Sequence, residues 1–114
     1  MPTPSLVERN IIAEAGDGAV DFTATPGVAS YFYRIEFLLA SVPDTPDDIV
    51  ITYNNGLGEE YTREIINAAL EGKAFIIDDE HFYMPEGAYI NVAYANTEEI
   101  AYSIQVVVGE VAPA

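Results

Sequence analysis

The amino-acid sequence predicts an all-β fold: a single antiparallel β-sandwich of about eight to nine short strands, jelly-roll or Greek-key-like in its connections. Three observations carry this. Apolar and polar residues alternate with period two through most of the apolar runs, as half-buried strands require. Turn signals made of Gly, Pro, Asn and Asp recur at regular spacing. No run keeps a helical apolar period long enough to make a convincing helix. With 114 residues, half of them hydrophobic and including 8 Tyr and 5 Phe, the chain suits one domain over 1–114 with one core.

Taken in order, residues 1–5 form a Pro-containing arm without core residues. A weak strand runs from Leu6 to Ala15, and Ala15-Gly16-Asp17-Gly18 reads as a turn. In Ala19 to Thr25, Val20, Phe22 and Ala24 oppose Asp21 and Thr23, which marks a sheet with one wet face. Ser30 to Ser41 is the longest aromatic run. Its period places Tyr31, Tyr33, Ile35, Phe37 and Leu39 on one face and Phe32, Arg34, Glu36 and Leu38 on the other. Pro43 and Pro46 hold the next acidic stretch in a loop. Ile49 to Tyr53 and Glu59 to Ile66 flank Asn54-Asn55-Gly56-Leu57-Gly58, a hairpin signal because Asn and Gly both accept positive φ. Asn67 to Gly72 fits either one helical turn or an extended connection. Ala74 to Asp78 and Phe82 to Met84 are short strands, and Pro85-Glu86-Gly87 turns into the stretch that organises the rest.

That stretch, Ala88 to Val108, predicts a hairpin. Ile90, Val92 and Tyr94 share one side of its first arm, and Tyr102, Ile104, Val106 and Val108 share one side of its second, with 95–99 as the turn. A lone hairpin is marginal in water, so the rest of the chain must supply a second layer. Residues 109–114 read as a frayed tail.

Composition excludes several functions. With 19 acidic residues against 4 Lys and Arg, the net charge is −15, which repels phosphate backbones and disfavours nucleic acid and anionic membranes as partners. The charge suits simple solubility and suppressed self-association, or else a cation-rich or salty environment or a basic partner. There is no Cys, so disulfides, thiolate metal sites and a thiol nucleophile are out together. The first residues lack a basic start and a long apolar run, so no secretory leader is expected. His81 is the only histidine, and no nucleophile, base and orienting group fall into a recognisable arrangement; no catalytic residue, cofactor or enzymatic activity is expected.

Two acidic clusters are candidates for calcium: Asp44 with Asp47 and Asp48 on one loop, and Asp78-Asp79-Glu80-His81 between two strands. Neither has the spacing of a known calcium loop, and a solvated acidic turn is the simpler reading of each. Tyr31, Tyr33, Tyr89 and Tyr102 are candidates for a sugar platform, although no Trp is present and core or interface packing is the commoner fate of such residues. Tyr31, Phe32, Tyr33, Phe37 and Leu38 put large apolar groups on both sides of one strand, more than one inner face hides, and are the expected subunit interface.

The succession Ile49-Val50-Ile51-Thr52-Tyr53, the Asn/Gly turn, Glu59-Glu60-Tyr61-Thr62-Arg63-Glu64-Ile65-Ile66, then Met84-Pro85-Glu86-Gly87-Ala88-Tyr89-Ile90-Asn91-Val92-Ala93-Tyr94-Ala95-Asn96 and a closing strand resembles small β-sandwich virion proteins of tailed bacteriophages. The resemblance covers roughly residues 49–108 and carries over no functional residues. It implies a structural role on the particle, as a capsid decoration (cement) protein, made in the host cytoplasm, self-associating as a trimer and bound to a major capsid protein. The alternative is a carbohydrate- or receptor-binding module of a fibre or tail, dependent on calcium if an acidic loop holds it.

Overall fold

The computed structural model describes residues 6–79 and 81–111, and all nine strands lie there. The expected arm 1–5, Glu80 and residues 112–114 lie outside the described residues. The strands are β1 (Leu6–Gly16), β2 (Val20–Ala24), β3 (Ser30–Leu39), β4 (Asp48–Asn54), β5 (Glu60–Asn67), β6 (Ala74–Asp78), β7 (Phe82–Met84), β8 (Tyr89–Tyr94) and β9 (Tyr102–Val111). They form two antiparallel sheets. The first runs β1-β9-β3-β6, with β7 continuing the β6 edge along β3, and the second runs β2-β8-β4-β5.

The pairings are nested. β1 pairs with β9, β2 with β8, β3 with β6 and β7, and β4 with β5, so the chain is one long antiparallel ribbon folded back at 55–59 and rolled up. Rolling stacks the two sheets and lets the apolar side of each strand meet the other sheet, which is the jelly-roll solution to burying a single face. The core between the sheets is continuous, from Val20 and Phe22 through Phe32, Ile35 and Phe37 to Ile90, Val92, Ile104 and Val106. Phe37 lies near its centre, stacked on Phe75 at 5.4 Å and edge-on to Tyr94 at 6.0 Å.

The stretch Ala88 to Val108 is therefore not a hairpin. β8 pairs with β2 and β4, β9 pairs with β1 and β3, and the intervening loop carries the chain from one sheet to the other. Both arms bury the residues that alternation assigned to them. Periodicity reports which face of a strand is apolar; it does not report whether two such faces lie side by side or oppose each other across a core. The crossing is held by Asn96, which is buried and sits at φ 50°. Its Nδ2 donates to the carbonyls of Gly18 (2.9 Å), Ile100 (3.0 Å) and Asp17 (3.3 Å), and its Oδ1 accepts from the Ile100 N–H at 3.0 Å. One side chain thus ties the β8–β9 crossing to the β1–β2 turn.

Bulges decide two further outcomes. In β3, Phe32 pairs with Val108 and Arg34 with Val107, leaving Tyr33 as the extra residue. The alternation slips by one there, so Phe32 joins Ile35, Phe37 and Leu39 in the core while Tyr31 turns outward. In β5, Arg63 is the extra residue between the Ile51–Glu64 and Thr52–Thr62 pairs. It reaches across the open edge of the sandwich to Asp78 on β6, Nε to Oδ2 at 3.0 Å, with its guanidinium 4.2 Å from the centre of the Phe82 ring.

Turn chemistry explains the rest. The β4–β5 loop is longer than a two-residue turn, and positive φ falls on Gly56 and Gly58, while Asn55 caps it by accepting from Leu57 and Glu59. The ambiguous 67–72 segment is one 3-10 turn, Ala68–Leu70, capped by the Asn67 side chain. The expected frayed tail is corrected as far as it is described: Gly109 to Val111 continue β9 and pair with β1 and β3.

Candidate functional site

Register places the residues of the first sheet's outer face in rows across the strands. One row is Ala15, Ser103, Leu38, Ala74; the next is Ala13, Gln105, Glu36, Ile76; then Ile11, Val107, Arg34; and then Arg9, Gly109, Tyr31, Tyr83. Five large apolar side chains on this face stand in solvent: Ile11 at 56% exposure, Ile76 at 53%, Leu38 at 52%, Tyr83 at 50% and Tyr31 at 38%. Exposed apolar residues scattered singly are ordinary; a set spread over one sheet face marks a contact surface. Arg9, Arg34 and Glu36 are the charged residues at these outward register positions, and Arg34 joins Glu36 at 3.1 Å. Arg34 and Glu36 are both substantially exposed, so the pair contributes under about 1 kcal/mol. On a chain of net charge −15 the register positions of this face hold one acidic residue against two arginines.

The relief is uneven. β1 and β9 present Ala13, Ala15, Ser103 and Gly109 beside Ile11 and Gln105, whereas β3, β6 and β7 present Leu38, Ile76, Tyr31 and Tyr83. A ridge of large side chains runs beside a trough of small ones that Ile11 and Gln105 interrupt. Between them lies a shallow groove of about 370 Å³ bordered by Glu36, Leu38, Ile76, Ser103 and Gln105.

The second sheet's outer face is different. Its rows are Thr23, Asn91, Thr52, Thr62 and Asp21, Ala93, Val50, Ile65. Asn91 donates to Asp21 Oδ1 at 2.7 Å and Thr23 Oγ1 at 3.1 Å, a polar ladder that suits water.

The five residues expected at an interface divide. Tyr31 and Leu38 are exposed on the outer face and Tyr33 is half-buried at the bulge, edge-on to His81 at 5.0 Å between ring centres. Phe32 and Phe37 are in the core and unavailable to a partner, because the bulge at Tyr33 sends Phe32 inward and the sandwich needs Phe37 at its centre. Ile11, Ile76 and Tyr83 belong to the surface and escaped the sequence reading. The signal for Ile76 was its outward parity within Ala74–Asp78, but only the register puts it beside Leu38.

The four candidate tyrosines for a sugar platform are not brought together. Tyr31 and Tyr33 lie on the first sheet, Tyr89 on the second, and Tyr102 is buried with its hydroxyl donating to Glu14 Oε2 at 3.0 Å. Burial first, and then that hydrogen bond, push the Tyr102 hydroxyl pKa up; burial does the same for Tyr53 and Tyr94.

The acidic candidates are put to structural uses. Asp47 Oδ2 accepts from the Thr97 N–H at 3.0 Å, and Glu98 Oε2 accepts from the Thr45 N–H at 2.8 Å, so the two loops clasp each other. Asp48 opens β4 opposite Asn67, Asp44 and Asp79 are exposed, and Asp78 is held by Arg63. Among the described residues, no three His, Cys, Asp or Glu side chains are grouped to hold a metal ion. In comparison with known proteins, no family model matches the chain and no curated protein matches it significantly in sequence.

Proposed function

We propose that this protein is a non-enzymatic structural subunit that works through protein–protein contacts, with the outer face of the first sheet as its docking surface. The observation that carries the reading is the five-residue apolar face, with Glu36 as the one acidic residue at its register positions, on a chain that is otherwise strongly acidic. Burying such a face against another protein gains the transfer energy of its side chains, and its one acidic residue, Glu36, is already paired with Arg34. The resemblance of residues 49–108 to virion proteins of tailed bacteriophages supplies the setting: a capsid decoration protein that self-associates and attaches to a major capsid protein. Jelly rolls are frequent in capsid proteins, but also in lectins and cupins, so the fold by itself does not choose among them. The scattering of Tyr31, Tyr33, Tyr89 and Tyr102 leaves the carbohydrate-binding alternative without its platform.

The test is co-sedimentation with virions purified from the source, together with mass spectrometry of those particles. The wild-type protein pellets with the particles and is found among their proteins. Absence from the particles, with no co-sedimentation of added protein, would defeat the virion reading.

A further inference from the structure

We propose that the docking face first meets a second copy of this chain, packed sheet against sheet about a two-fold axis that runs along the strands between β9 and β3. This rests on reading that face as a contact surface, and it names the occupant. Rotation about such an axis sets β3 over the partner's β9 and β6 over the partner's β1, row against row. Leu38 then enters the space above the partner's Ser103, and Tyr31 lies over the partner's Gly109. Ile76 meets the partner's Ala13, and the Arg34 stem covers the partner's Val107. In each case a large or long group of the ridge faces a smaller one of the trough, and the symmetry repeats every contact twice. Glu36 faces the partner's Gln105, an acceptor against an amide donor.

Two further observations favour a second copy over a different protein. Two chains of net charge −15 repel, and this sheet face, whose register positions hold one acidic residue, Glu36, against Arg34 and Arg9, lets them approach without stacking acidic groups. The area also suffices. Four strands at about 4.8 Å spacing and roughly 30 Å length offer roughly 600 Å² per copy, or about 1,200 Å² in total, the lower end of stable specific interfaces. The dimer would leave the two outer faces of the second sheet, with their Asn91–Asp21–Thr23 ladders, pointing outward.

The experiment is sedimentation equilibrium of the full chain over micromolar concentrations, with circular dichroism to establish that each variant is folded. Wild type gives twice the 12.4 kDa chain mass. Leu38→Glu and Ile76→Glu each weaken association by roughly a hundredfold or more, because each buries a charge. Ile65→Glu, on the outer face of the second sheet, leaves it unchanged. Ser103→Leu is the decisive variant: it adds apolar area but fills the trough, so it weakens a dimer of this geometry and would strengthen indiscriminate hydrophobic association. Raising salt from about 50 to about 500 mM tightens the dimer by screening chain–chain repulsion. A strict monomer, a trimer, or tighter association in Ser103→Leu overturns the inference. A monomer that still pellets with particles removes the dimer and leaves the virion reading standing; a dimer that ignores the particles does the reverse.

Discussion

Replacing Asn96 tests whether a single buried amide holds the crossing between the two sheets. Asn96→Ala deletes three good hydrogen bonds, to the Gly18 and Ile100 carbonyls and from the Ile100 N–H, with a longer fourth to Asp17. At about 1 kcal/mol each these contribute about 3 kcal/mol, and stranding the Ile100 N–H in a buried site adds to that. The φ of 50° adds up to about 1 kcal/mol more, because Asn tolerates the left-handed region and Ala does not. The expected loss is about 4–5 kcal/mol, or about 15–20 °C in melting temperature for a domain of this size. Asn96→Asp separates the causes. It keeps the Oδ1 acceptor and the tolerance of positive φ, but turns the donor into a second acceptor facing three carbonyl oxygens. The folded state therefore holds that carboxyl protonated, with its pKa above the ordinary value of about 3.9. Its contribution is fully present below the unfolded pKa and is lost as pH rises through the folded one. The melting-temperature gap between Asn96→Asp and wild type should accordingly be small near pH 4 and wide at pH 8. Urea and thermal melts read by circular dichroism measure both. A loss under 1 kcal/mol in Asn96→Ala, or a gap in Asn96→Asp that does not grow with pH, would refute the role assigned to this side chain.

Three other outcomes follow from the same structure. Gly56→Ala is destabilising by about 2–4 kcal/mol in a denaturant melt, since its Cβ would stand 2.7 Å from the Gly87 carbonyl carbon at φ 79°; a neutral result would mean the two turns do not touch. Tyr53, Tyr94 and Tyr102 all have raised pKa values, so their stabilisation is intact below about pH 10 and falls as pH rises from there toward the folded values. Alkaline unfolding followed by tyrosinate absorbance at 295 nm should then be cooperative with loss of the fold, and independent titration of these rings in a folded chain would contradict it. Millimolar calcium or EDTA should move the melting temperature by less than about 1 °C, because only a ligand that favours the folded state raises it; a rise of many degrees would make one of the acidic loops a calcium site.

The all-β class, a single core and most strand positions were legible in the amino-acid sequence, because period-two alternation and Gly, Pro and Asn turns are local and report directly on backbone geometry. The buried sets Val20, Phe22, Ala24 and Ile90, Val92, Tyr94 follow from parity alone. Local rules also explain why 67–72 stayed open, since three residues of 3-10 helix carry too little propensity to decide. What only tertiary structure decided is anything that depends on which strand lies beside which. Ala88 to Val108 spans two sheets rather than one hairpin because alternation is blind to partners. The extra residues at Tyr33 and Arg63 arise from fitting one strand's register to its neighbour, and no feature of either strand alone announces them. The candidate surface is the extreme case: Ile11, Tyr31, Leu38, Ile76 and Tyr83 come from four strands separated by up to 72 positions, and the rolled ribbon brings them onto one face.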